Sequence, residues 1–241
     1  MPQQGCPAGA FVWPDGSQAT PVAGAQPLSW QGHRWWLDPQ GALVWPARSA
    51  VLVADVHLGK ARTFRRLGVP VPESTTRENF ERLDRLLACW PARQLVVLGD
   101  LFHSADALTP EVLSAWQAWR ARHADREVLL VTGNHDQRAG PMPPQLGMTA
   151  VADTLVWSGV QLSHDDAPVP GAAGRPVVCG HWHPVACLRG RAHDRLRLPC
   201  FVVDPERLVL PSFGAFTGGH PAQAEPGRLR FVLAAGQVMP V

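Results

Sequence analysis

The sequence predicts an α/β fold in which two β-sheets pack face to face with helices outside. Apolar strand-sized runs alternate with amphipathic helices in the first half, short apolar runs follow in the second half, and no linker separates them. With 241 residues and 46% hydrophobic content, the chain is long enough for one domain with a sizeable core. We therefore expect a single domain over residues 26–241, after a Pro-, Gly- and Ala-rich loose arm over residues 1–25.

The elements of the first half can be assigned in order. Runs at 28–37 and 42–45 flank the turn Asp38-Pro39-Gln40-Gly41, which predicts a hairpin. Apolar runs at 51–54, 95–98 and 128–131 predict strands that are buried on both faces, as in a parallel sheet. One helix begins near Thr75 and ends at Pro91, and another has Pro110 in its first turn. These helices would connect the three parallel strands.

The second half is expected to be mostly β-structure. From about residue 154 the apolar runs are shorter and separated by turns, at 160–163, 176–179, 200–203 and 229–233. This change of pattern predicts the second sheet.

Composition excludes several classes of protein. No apolar stretch approaches the roughly 20 residues that cross a bilayer, and residues 1–6 lack the features of a secretory signal, so we expect a cytoplasmic protein without membrane contact. Five cysteines without CxxC spacing argue against a disulfide framework and a thiolate zinc site. A net charge of +2 is too small for the whole surface to attract polyanions, so a nucleic-acid function requires a local basic patch.

Potential metal ligands follow five of the expected strands. Because open α/β sheets place their sites at the carboxyl ends of strands, these side chains are expected to converge. The five clusters are Asp55-Val56-His57, Gly99-Asp100, Gly133-Asn134-His135-Asp136, Ser163-His164-Asp165 and Gly180-His181-Trp182-His183.

The residue types suit a centre of two divalent cations. Two cations about 3.5–4 Å apart need a bridging carboxylate and further nitrogen or oxygen ligands, and Asp100 is our expected bridge. Residues i and i+2 of an extended segment point the same way, as in Asp55/His57 and His181/His183. A single His or Asp at a strand end is usually a hydrogen-bonded loop residue, but five such clusters in order indicate a metal centre.

Two neighbouring residues allow two interpretations each. His103 either supports a metal ligand or is a surface histidine. Asp136 either orients and charges His135 or is a turn residue that binds its own backbone. Gly99, Gly133 and Gly180 precede ligands, where a side chain would obstruct the turn or the substrate.

The ligand series resembles that of the calcineurin-like metallophosphoesterases over most of the chain. The resemblance implies a four-layer αββα sandwich with two facing mixed β-sheets, a catalytic His135 and two divalent metal ions, for which we expect manganese with iron or zinc as alternatives. The implied ligands are Asp55, His57, Asp100 and His183 for one ion, and Asp100, Asn134, His164 and His181 for the other.

Three segments carry a narrower resemblance, namely residues 55–60, 64–72 and 213–219. They are similar to the bacterial DNA ligase-associated metallophosphoesterases. This implies a DNA repair nuclease that works with an ATP-dependent DNA ligase, a helicase and an exonuclease. Trp182 and the pair Asp165-Asp166 depart from the pattern without removing a ligand.

The expected activity is hydrolysis of a phosphodiester, in which two cations activate water and His135 protonates the leaving oxygen. One alternative is a hydrolase of small nucleotides or nucleotide-linked lipids, which would need a closed pocket. Another is a non-catalytic scaffold that binds protein partners. The intact His135 and the full ligand set favour an enzyme over a scaffold.

A basic segment directly follows the first ligands, with four cations and one aromatic residue in positions 60–66. Such charge runs are often a solvated helix face, but this position next to the expected centre favours contact with substrate. We expect Lys60, Arg62 and Arg65 to bind phosphates of DNA, and Phe64 to stack on a base.

Overall fold

The computed structural model describes residues 10–66, 68, 74–167, 174–189, 195–215 and 217–241. The helices are α1 (Lys60–Arg66), α2 (Ser74–Cys89), α3 (Pro110–Arg122) and α4 (Asn134–Ala139). The strands are β1 (Phe11–Val12), β2 (Gln18–Ala19), β3 (Gln26–Trp30), β4 (His33–Leu37), β5 (Leu43–Trp45), β6 (Ala50–Ala54), β7 (Gln94–Leu98), β8 (Glu127–Val131), β9 (Thr149–Val151), β10 (Thr154–Trp157), β11 (Val160–Ser163), β12 (Val177–Cys179), β13 (Pro184–Arg189), β14 (Arg195–Val203), β15 (Arg207–Val209), β16 (His220–Pro221), β17 (Leu229–Ala234) and β18 (Gln237–Pro240).

Two large mixed sheets form the molecule. The first has the order β3-β4-β5-β6-β7-β8-β9, antiparallel from β3 to β6 and parallel from β6 to β9. The second has the order β10-β11-β12-β15-β14-β13-β16, with β17 also paired to β14 and β18 paired to β17. The expected α/β sandwich with two mixed sheets is confirmed.

Alternating residues of the first sheet enter two different cores. Leu52 and Leu98 face the second sheet and share a core with Phe201. Val53 and Val97 face outward and share a core with residues of α2 and α3. This explains why the central runs are apolar at every position: both faces of the sheet are covered.

The α-helices of the described chain all lie between residues 60 and 139. They therefore all precede the β-rich part of the chain that begins near residue 154. None of these helices is long and apolar enough to cross a membrane. On the outer side of the second sheet, a smaller core that includes Cys179 and Val202 is packed by half-buried side chains such as Trp182 and Leu198.

The central elements match the sequence predictions. The runs at 51–54, 95–98 and 128–131 lie in β6, β7 and β8, which pair in parallel. The α3 helix has Pro110 in its first turn, and its preceding Thr109 side chain accepts a hydrogen bond from Val112 N at 3.3 Å. The predicted hairpin around residues 38–41 is the antiparallel pair β4–β5.

The run at 28–37 was expected to be one continuous element, and this is wrong. It contains two strands, β3 and β4, joined by Gln31 and Gly32 at φ 54° and 72°. Positive φ at both positions suits a tight two-residue hairpin turn, and Gly32 adopts it without steric strain.

The loose arm expected over residues 1–25 is contradicted over its second part, while residues 1–9 lie outside the described residues. Strands β1 and β2 form a hairpin, and Phe11 and Trp13 are buried in the main core. The Phe11 ring lies 4.9 Å from the Trp13 ring and 6.0 Å from the Trp90 ring, centre to centre. Aromatic burial therefore fixes a segment whose composition suggests disorder.

Replacement of Trp13 by Ala tests whether this segment belongs to the folded unit. Trp13 is 2% exposed, so its loss leaves a large cavity and should lower the free energy of unfolding by about 3–5 kcal/mol in denaturant titrations. Val12→Ala is the control, because Val12 is 51% exposed and should change stability by less than about 0.5 kcal/mol. Equal effects of the two changes would contradict the packing of this hairpin.

Candidate metal centre

The five ligand clusters lie at the carboxyl ends of five strands. Asp55 directly follows β6, and Asp100 comes two residues after β7. Asn134 begins α4 after β8, while His164 follows β11 and His181 follows β12. Because β6 to β8 run parallel in one sheet, and β11 and β12 run parallel in the other, these ends meet at one edge of the sandwich.

The first group of ligand atoms belongs to Asp55, His57 and His183. Asp55 is fully buried, and its Oδ1 atom lies 3.2 Å from His183 Nε2. The candidate ligand atoms of all three residues lie within 4.8 Å of one another. Among the described residues, the buried atoms Asp55 Oδ1 and His57 Nε2 have no hydrogen-bond partner. A cation between them would satisfy both atoms.

The second group is centred on His164. Its Nδ1–H donates to the Leu98 carbonyl at 3.2 Å, so Nε2 carries a lone pair. That Nε2 atom lies 2.9 Å from Asn134 Oδ1 and 2.9 Å from His181 Nδ1. It also lies 3.6 Å from Asp100 Oδ1, so several electron-rich atoms face one another. A bound cation would remove their mutual repulsion.

Asp100 lies between the two groups. Its Oδ2 atom is 3.9 Å from His57 Nε2, while its Oδ1 atom faces His164. Asp100 Oδ1 also accepts a hydrogen bond from the His135 backbone N at 3.0 Å. This geometry suits a carboxylate shared by two cations, and the mixture of carboxylate, imidazole and amide ligands fits divalent transition metals.

The backbone of the ligands is strained. Asp55, His57, Asp100, His181 and His183 have φ values of 55°, 50°, 52°, 66° and 45°. Non-glycine residues in this left-handed region each cost about 1–3 kcal/mol and cluster at functional sites. The sequence pattern around each ligand did not predict this left-handed backbone.

The three glycines before ligands leave space for ligand side chains of other loops, and not for the turn or the substrate as had been expected. A Cβ atom on Gly99 would collide with the His164 ring, and one on Gly133 would collide with the Asp100 carboxylate. On Gly180 a Cβ would lie 2.7 Å from Asp55 Oδ2. Each glycine therefore leaves room for a ligand side chain of another loop.

His135 and His103 form a pair beside the centre. His135 Nδ1–H donates to the His103 carbonyl, which leaves His135 Nε2 facing the centre at 3.9 Å from Asp100 Oδ2. The two rings stack with centroids 4.9 Å apart. The His135 side chain is 28% exposed, so its ring is accessible to a substrate.

His103 also contacts the ligand His57. The Nδ1 atoms of the two rings are 3.3 Å apart. Burial, together with the charges of Lys60 and His135, lowers the pKa of His103 to about 4. Neutral His103 can accept the His57 Nδ1–H, which leaves His57 Nε2 for a metal. Of the two interpretations of His103, the geometry favours support of a ligand.

Asp136 makes backbone contacts. Its carboxylate accepts from Gly133 N at 3.0 Å and from Phe102 N at 3.1 Å, and no contact with the His135 ring is among these. Burial raises the pKa of Asp136 to about 6. It joins the loops that carry Asn134 and Asp100, so the turn interpretation is the one its contacts support.

The basic segment presents two different faces. Lys60 is buried, its ammonium lies 5.5 Å from the centre of the Phe64 ring, and Phe64 lies 6.0 Å from His103. Burial lowers the pKa of Lys60, while the charges of the acidic ligands oppose this shift. Arg62 and Arg65 instead line a cavity of about 750 Å³ between α1, α2 and α3, which no predicted metal ligand lines.

Sequence reasoning missed a second layer of residues around the ligands. Asn79 of α2 is buried, donates from Nδ2 to Val56 O at 2.9 Å and accepts from Ala215 N at 3.2 Å. Ser212 Oγ donates to Asp55 O at 2.9 Å. The only local signal was a polar Asn79 beside apolar Phe80 in the sequence.

The fold and the ligand geometry define a metal-dependent phosphoesterase. Residues 49–195 match the family model described as calcineurin-like phosphoesterase. The chain belongs to the calcineurin-like phosphoesterase family.

Comparison with solved structures adds a similar protein. The crystal structure of Pseudomonas putida nuclease MPE matches with a TM-score of 0.79 and 40% sequence identity, covering 90% of this chain and 100% of that one. The comparison with curated proteins gives no match.

Replacement of Asp100 by Ala should abolish hydrolysis of an aryl phosphodiester, because a shared carboxylate is lost from both groups of ligands. Bound metal, measured by mass spectrometry on the purified protein, should fall by at least about half. The control is Asp125→Ala, which removes an exposed carboxylate from the loop after α3 and should change neither quantity. Full metal content and turnover in the Asp100 variant would contradict the bridging role.

Proposed function

We propose that this chain is a nuclease that hydrolyses phosphodiester bonds in DNA with two manganese ions. The observation that carries the proposal is the convergence of buried ligand atoms of Asp55, Asp100 and His164, beside the unpartnered atoms Asp55 Oδ1 and His57 Nε2. The 40% identity to a nuclease over 90% of the chain supports a nucleic acid as the substrate class, and the resemblance of residues 55–60, 64–72 and 213–219 favours DNA. Iron and zinc are the alternative metals for such mixed ligands.

The residues divide the chemistry between them. Divalent cations held here would activate water and stabilise the charge of the phosphoryl group. Asp55, Asp100 and the histidine ligands would hold the cations. His135, with a proton on each ring nitrogen, would deliver the Nε2 proton to the leaving oxygen and keep the Nδ1 proton that binds the His103 carbonyl. The His103 carbonyl keeps the other His135 nitrogen protonated, so Nε2 is the nitrogen presented to the substrate.

The exposure of the centre favours a polymer over a small nucleotide. His181 is exposed, and His135 is partly exposed on the same centre. A hydrolase of small nucleotides or nucleotide-linked lipids would be expected to enclose its substrate more fully. Lys60 adds a positive charge close to Asp55 and Asp100, where a backbone phosphate would bind.

The biological setting remains a prediction of the sequence. In this setting the protein acts in DNA repair in the cytoplasm, together with an ATP-dependent DNA ligase, a helicase and an exonuclease. The resemblance of residues 55–60, 64–72 and 213–219 supports this association.

Replacement of His135 by Ala tests the acid. We expect hydrolysis of substrates with poor leaving groups, such as DNA, to fall by about 10²–10⁴-fold, because the alkoxide must then leave unprotonated. Activated p-nitrophenyl esters should lose much less, and the metal content should be retained. His33→Ala serves as a control outside the centre. Equal losses for both substrate types would remove the acid role.

DNA binding tests the substrate class and the two arginines. Single-stranded DNA, duplex DNA and an aryl phosphodiester are compared with manganese present. In the variant Arg62→Ala with Arg65→Ala, the slope of log affinity against log salt for single-stranded DNA should fall by about 0.7 for each lost phosphate contact. Aryl-ester turnover should be nearly intact, because these arginines lie away from the ligands.

The charge-matched control for this test replaces two exposed arginines elsewhere, Arg34→Ala with Arg93→Ala. An unchanged slope in the Arg62 and Arg65 variant would remove these residues from DNA binding. Failure of the wild-type protein to cleave any DNA would contradict the proposed nuclease function.

A further inference from the structure

A cavity of about 470 Å³ opens beside the metal ligand His181. This volume lies within the range of roughly 300–1,000 Å³ that is usual for small-molecule sites. One side is formed by the loop that carries the paired histidines, and the other by the chain from β16 to β17. The polar and aromatic residues that line the cavity are His181, Trp182, His220, Gln223, Glu225 and Arg228.

The indole of Trp182 is held in one orientation. Its Nε1–H donates to Asp166 Oδ1 at 3.2 Å. The other oxygen of Asp166 accepts from Arg207 at 3.0 Å, and the Arg207 guanidinium carbon lies 5.4 Å from the centre of the Trp182 ring. Trp182 and Asp166 are therefore in direct contact.

This contact also connects two ligand loops. Asp166 follows the ligand His164 by two residues, and Trp182 lies between His181 and His183. A planar aromatic group is therefore fixed directly beside the metal centre. A fixed ring loses little conformational entropy when a second planar group stacks on it.

The charges around the cavity are paired with one another. Arg228 lies 2.7 Å from Glu225 and 3.9 Å from Asp204, and Arg207 also binds Asp204 at 3.1 Å. The two guanidinium carbons lie 5.4 and 5.9 Å from the centre of the Trp182 ring, and both groups are paired with carboxylates. Among the residues that the structure describes around the cavity, these two arginines therefore offer no free positive charge for a phosphate. An aromatic side with polar groups at its rim suits an uncharged planar group that forms hydrogen bonds, which is the chemistry of a nucleobase.

We propose that this cavity is a binding subsite for one nucleobase of the substrate, next to the phosphate that is hydrolysed. The base stacks on Trp182, and the side chains of His220 and Gln223 lie at the rim where they can contact its polar edge. The identification of the planar group as a base rests on the proposed function. Asp166 and Arg207 position the indole and do not contact the base.

The test compares p-nitrophenyl phosphodiesters that share one leaving group. Thymidine 5′-(p-nitrophenyl phosphate) and thymidine 3′-(p-nitrophenyl phosphate) carry a base, and ethyl p-nitrophenyl phosphate does not. We expect wild-type kcat/KM to favour at least one thymidine ester over the ethyl ester. In Trp182→Ala this ratio should fall by about 10-fold, mainly through KM, and Trp182→Phe should retain most of it.

Two controls separate stacking from support of the ligands. Trp157→Ala removes another half-buried tryptophan, which has Arg48 at 5.5 Å from its ring, and should leave the ratio unchanged. Metal content and thermal unfolding are measured for each variant. In one outcome, kcat/KM falls for the thymidine and ethyl esters alike and metal is lost in both Trp182 variants. This would show that Trp182 only supports His181, and it would overturn the subsite.

The remaining outcomes distinguish the subsite from the proposed function. The subsite is overturned, even if DNA is cleaved, when the wild-type enzyme prefers neither thymidine ester over the ethyl ester. It is also overturned when Trp182→Ala leaves the ratio of kcat/KM values unchanged. A lowered ratio in Trp182→Ala supports the subsite even if DNA is not cleaved, and the proposed nuclease function then fails alone.

Discussion

Crowding of buried electron-rich atoms is the constraint on which the rest of this structure depends. Asp55 Oδ1 and His57 Nε2 are buried without partners, and His164 Nε2 faces the oxygens of Asn134 and Asp100. Each unsatisfied buried polar group costs about 1–3 kcal/mol, and the left-handed backbone of several ligands adds to this cost. The parallel strands β6 and β7, apolar on both faces, supply the packing that maintains such a site.

Backbone carbonyls select which nitrogen each histidine presents. Carbonyls of Leu98, Thr217 and His103 lie at hydrogen-bond distance from the Nδ1 atoms of His164, His183 and His135. Since a carbonyl can only accept, each Nδ1 carries a proton and each Nε2 is directed to the centre. The loops that carry His164, His183 and His135 therefore all present Nε2, and no charged side chain is needed to hold the proton on Nδ1. For His57 the same selection is made by the neutral ring of His103.

The sequence predicted which side chains converge at the centre because their signal is local: an apolar strand, often a glycine, then Asp or His. It could not predict groups whose partners are distant in the chain. Phe11 and Trp13 lie in a segment whose composition suggests disorder, and they are buried by residues distant in the chain, among them Trp36 and Trp90, whose rings contact Phe11. Helical spacing puts Lys60 and Phe64 on one face of α1, but the packing of that helix decides that this face meets the centre.

The two ends of the metal centre differ in chemistry, and this difference would orient a strand of the proposed substrate. Near α1, Lys60 lies close enough to Asp55 and Asp100 for their charges to act on its pKa, so this end attracts a phosphate. At the other end, Arg207 and Arg228 beside Trp182 are each paired with a carboxylate, and the half-buried indole lines the cavity. With the hydrolysed phosphate at the metals, the sugar–phosphate chain would therefore continue toward Lys60, while a base turns toward Trp182. Such polarity would let the enzyme recognise a nucleotide by its shape and charge, without reading a particular base.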